Sequence, residues 1–119
     1  MSRILSVSAI DYSQTLKLHE LDEMQLAKLP ISSYRLPDGT HQVISEYQDK
    51  EWILEATRFP SNTKLSKRKL IFKHIPTRFE SAVKYAMKHY DISQNPSGGT
   101  LRESYKNLVP FINYIDSLQ

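Results

Sequence analysis

The 119-residue chain contains no cysteine, which excludes disulfide scaffolds, thiolate zinc sites and thiol nucleophiles together. Glycine is nearly as scarce. There are three, and only Gly98 and Gly99 are adjacent, so no glycine-rich loop can wrap a phosphate in the manner of nucleotide-binding folds. No window approaches the roughly 18 apolar residues of a membrane span, and residues 1–8 lack an apolar stretch of signal-peptide length. The expectation is a cytoplasmic protein that does not touch a membrane. His19-Glu20 opens like a zinc-protease helix motif, but Glu23 stands where the second histidine should be, and a solvated helix face is the better reading. No serine has nucleophile-elbow spacing. The one Asn-x-Ser match, Asn95-Pro96-Ser97, carries the proline that forbids glycosylation. No metal, cofactor, small-molecule substrate or catalytic residue is therefore expected.

What is present is positive charge, unevenly placed. Residues 1–60 hold six Lys/Arg against nine Asp/Glu, whereas residues 61–119 hold ten against four. Between Lys64 and Tyr90 there are eight bases and one acid, Glu80. Such a stretch attracts polyanions by neutralising phosphates and releasing counterions, although a solvated basic face has the same composition.

The apolar pattern predicts an α+β chain of about one domain. Ile4, Val7 and Ile10 suggest a strand or ordered arm within residues 1–16. Leu18, Leu21, Met24 and Leu29 suggest one helix over 18–29, stopped by Pro30. Pro37-Asp38-Gly39-Thr40 has turn chemistry between two β-capable flanks, 31–36 and 41–47, so a hairpin is expected, anchored by Trp52, Ile53 and Leu54. Pro60-Ser61-Asn62-Thr63 breaks the pattern where the charge balance switches. It divides an accessory segment, 1–60, from a basic helical region, 61–119. Residues 70–75 could be extended or simply docked on the core. Two capping boxes, Thr77-Arg78-Phe79-Glu80 and Thr100-Leu101-Arg102-Glu103, each predict a helix start. The first helix carries Phe79, Val83, Ala86 and Tyr90 on its apolar stripe and Lys84 and Lys88 on another face. The second carries Leu101, Tyr105, Leu108, Ile112 and Ile115, with a kink or short break expected at Pro110.

The order of these pieces resembles a known family. Leu70-Ile71-Phe72-Lys73-His74-Ile75 is followed by a helix ending Val83-Lys84-Tyr85-Ala86-Met87-Lys88-His89-Tyr90. Then come Ser97-Gly98-Gly99-Thr100 and Leu108-Val109-Pro110-Phe111-Ile112-Asn113-Tyr114-Ile115. Together they are similar to the start of the SAM-like core-binding domain of tyrosine recombinases, the phage integrases and transposon-encoded recombinases, over roughly residues 50–119. The resemblance implies a helical clamp that rests on double-stranded DNA beside other recombinase protomers, while a separate domain cuts. It implies a role in DNA integration and recombination. The bases expected to contact phosphates are Lys67, Arg68, Lys69, Arg78, Lys84, Lys88, Arg102 and Lys106. The chain departs from the full family pattern: no His-x-x-Arg occurs, and two further helices are lacking. A last helix without a glycine cap, and with Asp116 in its final turn, suggests a piece of a longer protein. A protein-interaction or regulatory module of a mobile element, whose basic face meets an acidic partner, is the alternative from a different class. A small enzyme has no motif to support it.

With no His-x-x-Arg, the seven tyrosines read as packing or surface residues. Incubation with supercoiled DNA should yield neither nicked circles nor a protein–DNA adduct that survives a denaturing gel. An adduct would assign a nucleophile to one of those tyrosines.

Overall fold

A computed structural model describes residues 17–118 and the backbone of Arg3–Leu5. The fold is α+β, with two small antiparallel sheets and a helical C-terminal half. Strand β1 (Arg3–Leu5) and strand β2 (Pro30–Arg35) flank β3 (His41–Glu46) in one sheet, ordered β1-β3-β2. Strands β4 (Glu51–Ile53) and β5 (Lys69–Ile71) form the second. Val7 and Ile10 of the expected N-terminal arm lie outside the described residues.

The β2–β3 hairpin forms where turn chemistry placed it. Gly39 takes φ 89°, the left-handed region that glycine enters without a steric penalty. Asp38 accepts from the Thr40 amide at 3.0 Å and hydroxyl at 2.6 Å, fixing the loop locally. The free edge of β2 is guarded. Its register against β3 shifts twice between Pro30 and Ser33, and the Ser33 N–H donates to the Glu55 carboxylate. Bulges and an occupied donor both discourage a further strand from pairing there.

The single helix expected over 18–29 is corrected to two pieces. A 3-10 turn spans Leu18–Glu20, and α1 is only Glu23–Ala27. Asp22 caps α1 reciprocally with Gln25, so a local box starts a new helix where periodicity alone suggested continuity. Leu18 faces the core and Met24 faces solvent.

Helix α2 (Thr77–Gln94) and helix α3 (Gly98–Ser117) follow. Neither starts as the capping boxes predicted. Pro76 is the N-cap of α2 and has no polar side chain to offer, while Glu80 reaches Lys50 and Lys84. Helix α3 begins two residues before Thr100, with Ser97 Oγ accepting from the Thr100 amide at 3.1 Å. No break occurs at Pro110, and α3 continues through it to Ser117. Arg78, near the start of α2, meets Asp116 in the last turn of α3 at 2.6 Å, which supplies the base that the end of that helix favours.

One core joins both halves of the chain. Ile31, Tyr47, Trp52 and Leu54 pack with Leu70, Phe72, Ile75, Val83, Met87, Leu101 and Tyr105. The composition break at Pro60–Thr63 is the loop between β4 and the 3-10 turn that precedes β5. An aromatic file runs through the centre. The ring centroids are 5.4 Å apart for Tyr47 and Trp52, 4.7 Å for Trp52 and Phe72, and 5.4 Å for Phe72 and Tyr105. The last two pairs are edge-to-face, the arrangement the ring quadrupoles prefer. Trp52 Nε1 donates to the Tyr47 carbonyl at 3.1 Å, so its one polar atom is satisfied inside the core.

Gly98 and Gly99 make a paired test of packing. A Cβ at Gly98 would sit 2.5 Å from Phe59 Cε2 and 2.9 Å from the Arg58 carbonyl oxygen, whereas one at Gly99 would meet nothing within 4 Å. Gly98→Ala should destabilise by about 1–3 kcal/mol, the usual cost of overpacking. Gly99→Ala should be neutral or stabilise by up to roughly 1 kcal/mol through helix propensity. Urea unfolding of the two variants checks the contrast.

Candidate nucleic-acid interface

The eight expected phosphate contacts separate into distinct environments. Lys84 and Lys88 are corrected outright as outward-facing residues, being 4% and 5% exposed. The inward face of α2 carries Val83 and Met87 together with Glu80, Lys84, Lys88 and Asp91. Lys84 Nζ lies 3.2 Å from Glu80 and 5.2 Å from the Phe72 ring centroid. Lys88 lies 3.7 Å from Asp91, which also receives the Arg58 guanidinium at 2.6 Å. A buried ammonium must be paired to persist, and the acids one helical turn away do this. Both side chains are withdrawn from solvent.

Arg78 is exposed but engaged by Asp116. Lys69 contacts Glu51 at 3.2 Å. Lys67, Arg68, Arg102 and Lys106 have no acidic partner among the described residues.

Strand alternation then sorts the basic run. Successive side chains in a strand point to opposite faces, so Lys69 and Ile71 face one side of β5 and Leu70 the other, while Arg68, just before the strand, lines a separate cleft. On the Lys69 side, α3 lies across β5 and leaves a groove of about 300 Å³. It is lined by Lys69, Ile71, His74, Arg102, Tyr105, Lys106, Val109 and Pro110. Arg102 Nε donates to the Lys69 carbonyl at 3.3 Å, and Tyr105 donates its hydroxyl to the Ile71 carbonyl. These bonds fasten α3 to the strand and bring three of the expected bases, Lys69, Arg102 and Lys106, to one groove. His74 joins them, and sequence reasoning did not single it out. Its position directly after the strand, on the turn that feeds α2, was the available signal.

The acids and tyrosines inside the fold have displaced acidities. Burial pushes the Glu55 carboxyl up, against the opposing pull of Arg58 and Lys88. Burial likewise lowers Lys88, although Asp91 and Glu55 hold it the other way. Burial, aided by Glu80, pushes the Tyr105 hydroxyl up to about 12, and burial with Tyr85 does the same to Tyr47. Phenols so displaced are poorly placed to ionise as nucleophiles. Burial also acts upward on Glu80, but the hydrogen bonds from Lys50 and Lys84 outweigh it and hold Glu80 below its ordinary value.

Among the described residues no group of three or more His, Cys, Asp or Glu is arranged to hold a metal ion. No helix is long and apolar enough to cross a membrane. No family model, curated protein or solved structure matches the chain.

The Glu80–Lys84 pair yields a test. Glu80→Ala strips the buried Lys84 of its acid and should destabilise by about 3–5 kcal/mol, the cost of breaking a buried pair on one side. Because the folded state holds Glu80 below its ordinary pKa, its stabilisation is complete above the ordinary carboxylate range. It fades as pH falls through the folded value. Denaturation curves of parent and variant should therefore converge in acid. A gap that persists there would place the effect in packing rather than charge.

Proposed function

We propose that the chain is a non-cutting, DNA-binding part of a tyrosine-type site-specific recombinase, and that it meets the duplex through the β5–α3 groove. The observation that supports this reading is the gathering of Lys69, Arg102 and Lys106 with His74 around one groove. Arg102 and Lys106 lack acidic partners, and exposed Lys67 and Lys73 lie nearby in sequence on either side of β5. Bases without acidic partners on the rigid helix α3, beside Lys69 of β5, suit phosphate contacts, which fix register and orientation on a duplex without reading sequence. The role in integration and recombination comes from the family resemblance of residues 50–119. Other recombinase protomers on the same DNA would be the protein partners.

A second reading has its own observation. Phe111 and Tyr114 on the C-terminal half of α3 and Leu118 just after it are 57–65% exposed, which suits a protein-interaction module of a mobile element whose groove receives an acidic partner. Competition separates the two. Duplex DNA should displace a labelled duplex far better than polyglutamate does if the first reading holds.

Arg102→Ala with Lys106→Ala should leave helix content intact, since alanine is the best helix former. It should weaken duplex binding and flatten its logarithmic salt dependence by up to about two phosphate contacts. Fluorescence anisotropy at several salt concentrations reads both. Parent-like binding by the double variant would sink the groove assignment.

A further inference from the structure

On the other side of β5 lies a larger feature that the DNA reading does not use. A cleft of about 1000 Å³ opens between β2 and α2. Its walls include Arg35, His41, Arg58, Arg68 and Lys88, against two acids, Glu55 and Asp91. Asp91 answers both Arg58 and Lys88, and Glu55 feels the pull of the same two bases. Arg68 is not answered. It is half-buried, one guanidinium nitrogen donates to the Leu54 carbonyl at 3.1 Å, and its Nε is buried with no acceptor. It has no acidic partner among the described residues.

A buried donor on a charged group is costly to leave unmade, and a guanidinium without a counter-ion in a cleft is a receptor for one. Planar guanidinium geometry matches phosphate and carboxylate oxygens. Two further observations choose between them. The guarded edge of β2, with Ser33 N–H engaged by Glu55 and two register shifts, disfavours an extended peptide carrying a carboxylate. The cleft is also far larger than a bare anion needs, at the top of the roughly 300–1000 Å³ range of small-ligand sites. Its walls add apolar side chains, Ile44 and Ile92, and the half-exposed ring of Tyr34. The Tyr34 hydroxyl is tied to Gln42. An exposed, anchored ring is a stacking platform for a base.

We propose that this cleft binds a nucleotide, with Arg68 taking its phosphate and Tyr34 its base. The phosphate could belong to a free mononucleotide or to the 5′ end of a nucleic-acid strand, which present the same chemistry. The site is independent of the β5–α3 groove, because the two share no lining residue.

The test uses four probes on the full chain: adenosine monophosphate, adenosine, and a short single-stranded oligonucleotide with and without its 5′-phosphate. Binding is read by calorimetry and by the NMR signal of the Arg68 Nε–H, which should shift when its acceptor arrives. The expected result is binding of the monophosphate or the phosphorylated oligonucleotide, whichever identifies the source, with adenosine and the unphosphorylated strand weaker. Arg68→Gln should weaken that binding by about tenfold or more, the worth of a charge-assisted hydrogen bond. Arg102→Ala with Lys106→Ala should leave monophosphate binding unchanged, so failure of the DNA reading and failure of this one are distinguishable. If Arg68→Gln does not fold, the Nε–H shift in the parent chain decides alone. Three results would overturn the proposal: no binding by either phosphorylated probe, equal binding of the unphosphorylated ones, or an Arg68 signal that does not move.

Discussion

The edge-to-face contact between Trp52 and Phe72, at 4.7 Å, is where the two halves of the chain become one body. Trp52 comes from β4 and is fixed by its bond to Tyr47. Phe72 follows β5 and touches both Tyr105 of α3 and the ammonium of Lys84 of α2. Everything placed with precision hangs from this junction. The β4–β5 ladder sets which side Lys69 faces, and α3 is held across β5 by Tyr105, which packs on Phe72 and bonds to Ile71, and by the Arg102 bond to Lys69. Each of these rings buries a large apolar area, and a truncation to alanine at such a site ordinarily costs about 3–5 kcal/mol.

The second constraint is electrostatic. A helix that must present Val83 and Met87 to the core also turns Lys84 and Lys88 inward, since adjacent positions share a wide face. The fold accommodates them with Glu80 and Asp91 at one-turn spacing and with Arg58 bridging from the sheet side. Part of the basic excess of residues 61–119 is thus interior structure rather than surface field. What remains outside is concentrated on β5, the turn after it and the first half of α3, and it is more local than the composition suggests.

Much of the fold was legible in the sequence. The hairpin turn, the α+β organisation and both long helices follow from turn residues and periodicity. Helix starts were less legible, because a Thr-x-x-Glu pattern specifies a box only if the glutamate has no better partner, and Glu80 has two. The division of Leu18–Leu29 was hidden because Asp22 and Gln25 cap locally against the apolar period. At the site, the helical spacing of Arg102 and Lys106 was readable. The burial of Lys84 and Lys88 was not read, although Glu80–Lys84 and Lys88–Asp91 stand at i,i+4 and i,i+3. Charge was taken as a mark of exposure, and pairing can reverse that. The cleft around Arg68 has no sequence signature, since it is made by strands and a helix distant in the chain.

The opposite facing of Lys69 and Leu70 on β5 also bears on which changes of length the chain could tolerate. Side-chain direction in a strand has a period of two. Sliding β5 by one residue against β4 would turn Lys69 and Ile71 away from the groove under α3. It would also turn Leu70, which is fully buried, out to water. That apolar loss works against any compromise register. A one-residue insertion or deletion therefore has two fates. Within residues 60–64 the loop can absorb it at little entropic cost. Within 68–72 it would move Lys69 out of its groove and empty the centre of the core, so lengths in this chain should drift in the loop and stay fixed in the strand.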